Sequence, residues 1–229
     1  MTPLLSARHA NGKAQVKRGI VVGCPIPRKY FETSGKGESD YQVHAGSYHV
    51  ALQQAGIERA NIMAYSSIMP AIAQRIGREE GFRMIQHGAE MKVIQAAAHV
   101  DTATGNRRAT AAIMYGLLYP KSGGPTIGGL VCEYNGSAAV EEAKANLHSC
   151  LDGLYRGPDI HGRRFSDEYE LRDVRFLSET IEPKKRFGTA LVVLAFVDYF
   201  VPVLEQDAFD QEQEEVALAV AEQALGSGL

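Results

Sequence analysis

What most limits how this chain can fold is a succession of strand-length apolar runs, each closed by a turn or a proline. RGIVVGC (18–24), ANIMAY (60–65), EMKVIQAAAHV (90–100), RRATAAIMYGLLY (107–119), IGGLVCEY (127–134), LRDVRFLSETIE (171–182) and FGTALVVLAFVDYF (187–200) are rich in β-branched, aromatic and small apolar residues. Runs of this length and composition read as strands. DTATGN (101–106) and KKR (184–186) are turn-rich and predict hairpin-like reversals, whereas TSGKGESD (33–40) reads as a glycine- and charge-rich loop. Helical spacing is confined to fewer places. Ala45, Tyr48, Ala51, Leu52 and Ala55 recur at that spacing before Gly56. Val140, Ala143, Leu147, Leu151 and Leu154 form an apolar stripe behind Glu141 and Glu142, with Ser137 as the expected N-cap. The acidic stretch 205–225 reads as an amphipathic helical tail. Strands outnumber helices and neighbours look hairpin-linked, so the expected class is α+β, a sandwich of mostly antiparallel strands rather than a parallel βαβ sheet.

Bulk properties exclude several functions. A net charge of −3 over 229 residues gives no electrostatic reason for nucleic acid or a membrane surface as partner. Cys24, Cys132 and Cys150 are odd in number and widely spaced, without a C-x-x-C pair. The first residues lack the apolar run of a signal peptide, and the apolar stretch 188–204 is too short and too interrupted to span a bilayer. These features predict a cytoplasmic protein with reduced thiols. His44 and His49, five apart, do not share a helix face as a metal pair would, so no metal is expected. His87 and His99 read as core or edge histidines, and Gly35-Lys36-Gly37 as a flexible loop. Neither a G-x-S-x-G elbow nor a phosphate-binding G-x-x-x-x-G-K-[ST] loop is present.

The chemistry-bearing candidate is Ser66-Ser67, placed between the strand 60–65 and Pro70, which cannot continue a ladder. A serine hydroxyl held against the preceding carbonyl can convert that amide to an ester. β-Elimination then frees the upstream chain, and hydrolysis leaves a ketone at residue 67. Such a group can form a Schiff base with an amine and accept electrons, as other carbonyl cofactors do. On local pattern alone a Ser-Ser pair after a strand is an ordinary polar turn.

Longer strings add weight. YSSIMP (65–70), preceded by ALQQAGI (51–57) and ANIMAY, resembles the processing site of pyruvoyl-dependent arginine decarboxylases. GLVCEYNG (129–136), GKGESD (35–40) and KRFGTALVVLAF (185–196) are similar to segments of that family in the same order, from about Gly19 to Tyr199. The resemblance implies a four-layer αββα sandwich assembled as a homotrimer or dimer of trimers, with active sites between adjacent protomers. It implies a lead-in at 1–18, a decarboxylase domain at 19–204 and a tail at 205–229, the chain being cut into a β chain (1–66) and an α chain (67–229). Ser66 and Ser67 flank the cut. By the same resemblance Ser67 would become a covalent pyruvoyl group that decarboxylates L-arginine to agmatine, a polyamine precursor, and Glu133 would return a proton to the substrate's α-carbon. Its setting between Val131, Cys132 and Tyr134 suits a general acid.

One position departs from the family. Where members that read arginine carry an aspartate, this chain has His49, which offers a guanidinium no bidentate partner. Asp40 and Glu38 are the carboxylates that could take its place, so Asp40, Glu38 and His49 are the candidate substrate-binding residues. A decarboxylase for another amino acid and an unprocessed, non-catalytic paralogue remain the alternatives.

Overall fold

The long strands are apolar on both faces, so each needs cover above and below. The computed structural model, which describes residues 22–41, 46–203 and 218–219, shows how that cover is built. Residues Ile26–Tyr199 form one compact unit. The strands and α-helices in chain order are β1 (Ile26–Pro27), β2 (Lys29–Ser39), α1 (Ser47–Ala55), β3 (Asn61–Ala64), β4 (Ile68–Pro70), β5 (Gln74–Arg75), α2 (Arg78–Met84), β6 (Glu90–Asp101), β7 (Ala109–Pro120), β8 (Gly128–Gly136), α3 (Val140–Arg156), α4 (Phe165–Glu168), β9 (Tyr169–Ile181), β10 (Phe187–Phe196) and β11 (Tyr199–Phe200). In the second unit, Val22 bridges Val203 antiparallel and the Gly23 N–H donates to the Pro202 carbonyl at 2.7 Å. Of the strand expected at 18–24, the described part holds only that bridge. The lead-in and, apart from helical Leu218 and Ala219, the tail lie outside the described residues.

β3-β6-β10-β2-β5 make a five-stranded sheet and β4-β8-β7-β9 a four-stranded one. All the long pairings are antiparallel, and the short β3–β6 and β2–β5 contacts are parallel. Because side chains alternate along a strand, successive residues go to different layers. Ile94, Val192 and Leu194 of the first sheet meet Ile113, Tyr115 and Val131 of the second in the central core. Val93, Leu191 and Val193 point outward beneath Ala51, Leu52 and Ala55 of α1. On the far side Ala112, Met114 and Cys132 lie beneath Leu147 and Leu151 of α3. The result is the αββα sandwich of mostly antiparallel strands.

Three local expectations are corrected. The segment 33–40 is not a loop: Thr33 to Ser39 complete β2. The glycines are there for contact, since a Cβ on Gly35 would stand 2.1 Å from the Ala51 carbonyl oxygen and one on Gly37 2.2 Å from that of Ser47. Helix α1 therefore lies directly on the strand, and the Thr33 hydroxyl donates to the Ala55 carbonyl at 2.7 Å. Secondly, 101–106 and 184–186 are not hairpin turns. They carry the chain between sheets, from β6 to β7 and from β9 to β10. Turn chemistry specifies a reversal but not the sheet that receives the next strand. Thirdly, α3 starts at Val140 with Ala139 as N-cap and no side-chain cap, so Ser137 does not serve; Leu154, at the end of the stripe, is exposed.

A polar tie also joins the sheets. Glu32 of β2 accepts from Arg175 of β9 at 2.6 and 2.9 Å, from the Tyr115 hydroxyl of β7 at 2.6 Å and from Arg75 at 3.3 Å. Burial by itself would raise the Glu32 pKa. The hydrogen bonds from Arg175 and Tyr115 and the two guanidinium charges outweigh it and hold the carboxyl below its ordinary value.

Two outcomes follow. Gly37→Ala and, more severely, Gly35→Val should lower the thermal unfolding midpoint, with overpacking costing about 1–3 kcal/mol; an unchanged midpoint would contradict the direct helix–strand contact. For Glu32, a depressed folded pKa means its stabilisation is complete above the ordinary value of 4.5 and lost as pH falls below it. Glu32→Gln should therefore be less stable than wild type at pH 7, and the gap should narrow by pH 3. A gap independent of pH would exclude the carboxylate as its source.

Candidate active site

The candidate site lies where the chain changes sheets. β3 runs parallel to β6 until Ala64 pairs with Val93, and the Tyr65 N–H makes the last ladder bond, to the Val93 carbonyl at 2.7 Å. Three residues later Ile68 pairs with Leu130 of β8 in the other sheet. Ser66 and Ser67 therefore lie between ladders. The Ile68 N–H donates back to the Ser66 carbonyl at 2.8 Å, closing a tight turn centred on Ser67. Ser66 is exposed and Ser67 half-buried.

Register brings in the acid. One residue beyond the Ile68–Leu130 pair, Ser67 stands opposite Val131. Ser67 shares its face with Met69, and Val131 shares its face with Glu133, so Glu133 is the diagonal neighbour of Ser67. The Ser67 hydroxyl donates to both carboxylate oxygens of Glu133, at 2.6 and 2.7 Å. Two residues far apart in sequence thus touch at the margin of the central core, where Met69 and Val131 are buried.

This arrangement supplies three parts of an acyl shift. Glu133 can take the hydroxyl proton, Oγ of Ser67 becomes the nucleophile, and the Ile68 N–H already points at the oxygen on which negative charge would develop. The Ile68 N–H is the member that sequence reasoning misses, because every residue but proline has one and only the turn aims it. Lys92 is another. Its ammonium lies 5.6 Å from the ring centre of Tyr65, next to Ser66, and 5.4 Å from that of Tyr199.

Asp40, Glu38 and His49 lie elsewhere in the same chain. Val93, beside the end of β3, is level with Ala195 and Phe31, whereas Glu38 pairs with Gly188. Seven residues along β2 separate Phe31 from Glu38, about 23 Å at about 3.3 Å per residue. There one Glu38 oxygen accepts from the Lys184 and Lys185 N–H groups at 2.6 and 3.3 Å, and one Asp40 oxygen from the Arg186 N–H at 3.3 Å. Half-buried His49 is in the first turn of α1. This end of the strands also carries an open cleft of about 640 Å³ lined by Tyr41, Ser47, Tyr48, Gln95, His99 and Asp101 among others. His99, read from sequence as a core or edge residue, reaches it while bonding Thr189 at 2.9 Å; Asp101 is held by Arg186 at 3.1 Å to each oxygen. His44 lies outside the described residues. Among the described residues, no three His, Cys, Asp or Glu side chains gather as a metal ion would require, and no helix is long and apolar enough to cross a membrane.

Comparison with known proteins bears on the same residues. A family model described as pyruvoyl-dependent arginine decarboxylase matches residues 29–201. The chain is 26% identical over 193 residues to the pyruvoyl-dependent arginine decarboxylase AaxB of Chlamydia abortus, covering 77% of this chain and 94% of that protein. It is 27% identical over 179 residues to pyruvoyl-dependent arginine decarboxylase 2 of Archaeoglobus fulgidus, covering 75% and 98%. To pyruvoyl-dependent arginine decarboxylase 1 of Methanosarcina acetivorans it is 40% identical over 63 residues, 28% of this chain and 37% of the relative.

Proposed function

The chain belongs to the pyruvoyl-dependent arginine decarboxylase family and is a decarboxylase, and from that premise we propose that it cuts itself between Ser66 and Ser67 and converts L-arginine to agmatine and CO₂. The observation that carries the first half is the Ser67–Glu133 contact beside the Ser66 carbonyl. Oγ of Ser67 bonds to the Ser66 carbonyl carbon as its proton passes to Glu133, and the Ile68 N–H holds the oxygen that becomes negative. The C–N bond then breaks and the Ser67 nitrogen takes up a proton, leaving an ester. Removal of the Ser67 α-proton expels the Ser66 carboxylate from the β-carbon. Water then replaces the nitrogen, ammonia leaves, and residue 67 is a pyruvoyl group heading the α chain.

The residues present fit that group. Residue 67 is half-buried, next to a carboxyl and beside an apolar core. When formed, its carbonyl takes the substrate amine and draws off the electrons released as CO₂ departs. Glu133, already beside residue 67, is placed to return a proton to the substrate's α-carbon, a second use of the group that serves cleavage.

The other half of the reading is recognition. The names of the relatives support arginine, and a guanidinium needs a carboxylate partner when it leaves water. Glu38 and Asp40 each keep one oxygen without a partner among the described residues. They sit too far from Ser67 in one chain to serve it. Assembly as a homotrimer or dimer of trimers would let the cleft end of one protomer, with Glu38, Asp40 and His49, meet Ser67 and Glu133 of the next. We place the enzyme in the cytoplasm.

The decisive experiment is a denaturing separation with intact-mass measurement. Wild-type protein should part into chains of 66 and 163 residues and release agmatine and CO₂ from L-arginine, while Ser67→Ala stays at 229 residues and inactive. Wild-type protein that remains whole after prolonged incubation would refute self-processing. The direct contact of Glu133 with the Ser67 hydroxyl ties the same carboxylate to cleavage as well as to turnover. Glu133→Gln should slow the appearance of cut chains, and turnover per processed chain should fall on the order of 10²–10⁴-fold. Cleavage at the wild-type rate would remove Glu133 from the first step, and near-normal turnover would remove it from the second.

A further inference from the structure

Cys132 and Cys150, on different elements, come together beside the site. Cys132 is in β8, 3% exposed, its side chain turned away from the central core and toward α3. Leu147 and Leu151 of α3 pack against it. Cys150 is one turn beyond Leu147 and adjacent to Leu151, at the margin of the helix face that meets the sheet. It is exposed to solvent, it sits between the two leucines that pack on Cys132, close enough to raise the pKa of that thiol, and both cysteines are free. The mechanism above uses neither sulfur, yet Cys132 is joined to Glu133 by a single peptide bond.

We propose that Cys132 and Cys150 are a thiol-oxidation site, where a two-electron oxidant of the hydrogen peroxide class forms a disulfide that fastens α3 to β8. Exposed Cys150 attacks first: its thiolate takes one peroxide oxygen, becoming a sulfenic acid as hydroxide leaves and is protonated to water. The Cys132 sulfur, giving up its proton, then displaces the sulfenic hydroxyl from Cys150, which departs as a second water. Two thiols lose two electrons and one peroxide becomes two waters. Burial first, and then the neighbouring Cys150, push the Cys132 thiol up to about 12, so Cys132 resolves the sulfenic acid rather than meeting the oxidant.

The bond has a consequence for the neighbouring acid. A disulfide holds its two β-carbons about 3.5–4.5 Å apart. Drawing the strand at Cys132 toward the helix moves the next residue, which projects from the opposite face onto Ser67. Oxidation should therefore reduce decarboxylation in a way that a thiol reductant reverses. This activity effect rests on the role proposed for Glu133; formation of the disulfide does not.

The test treats the purified, processed protein with excess hydrogen peroxide, digests it without reduction and maps the peptides by mass. The expected product is a Cys132–Cys150 pair, two hydrogens lighter, within one chain. Decarboxylation should fall at least fivefold and return with dithiothreitol. Cys150→Ser should keep its activity before and after peroxide. Overoxidised Cys150 without a linked pair, or a disulfide through Cys24 or between chains, would overturn the site. A linked pair with unchanged activity, or equal loss in Cys150→Ser, would overturn its coupling to Glu133. A protein inactive before oxidation that still forms the pair would refute the proposed function and leave the disulfide standing.

Discussion

Backbone hydrogen bonding sets the site. The run through β3 makes its last bond to the first sheet at Tyr65, and the chain first pairs with the second at Ile68, so the peptide between Ser66 and Ser67 belongs to neither ladder. A peptide within a ladder has its carbonyl and N–H directed at neighbouring strands. Freed from that, the Ser66 carbonyl turns to the Ile68 N–H, and the register of β4 against β8 brings Glu133 to the Ser67 hydroxyl. The carbonyl, the nucleophile, its base and the donor to the developing oxyanion are all consequences of one crossing.

That crossing requires two sheets packed face to face, and the packing explains the composition. Residues of β10 after Phe187 are buried without interruption because one set faces α1 and the alternate set faces β7 and β8. Gly35 and Gly37 let the helix layer come close enough to cover the strand without a gap. The Glu32 cluster acts in the orthogonal direction, binding β2 to β7 and β9 through hydrogen bonds that a charged acceptor strengthens. Ser67 and the Glu32 cluster are in line across the second sheet: Tyr115 pairs with Val131 on one side and with Arg175 on the other. Rigidity in that row is what a contact as short as Ser67–Glu133 needs.

Much of this was legible in the residues. Periodicity located α1, α3 and most of the strands, because burial of alternate or helically spaced side chains is written directly into the sequence. Ser67 and Glu133 were found through the strings YSSIMP and GLVCEYNG, and no spacing rule would have paired them, since they are 66 positions apart. What sequence misread has a common cause. GKGESD looked like a loop because glycine carries no hydrophobic signal, and its value here is the absence of a side chain under α1.

The sequence by itself determined α1, α3 and most of the strands, that their faces are apolar enough for a layered α+β fold, and that Ser66-Ser67 precedes a proline that closes a strand. Only the tertiary structure decided that β6 and β7, neighbours in the chain, enter different sheets, and that Glu133 rather than another carboxylate meets Ser67. It also decided that Glu38 and Asp40 tie down the crossing between β9 and β10, at the other end of β2 from the level of the site they were expected to join. The physical reason is that side-chain patterning specifies the environment a residue needs, whereas sheet membership and register are set by backbone pairing between segments distant in sequence.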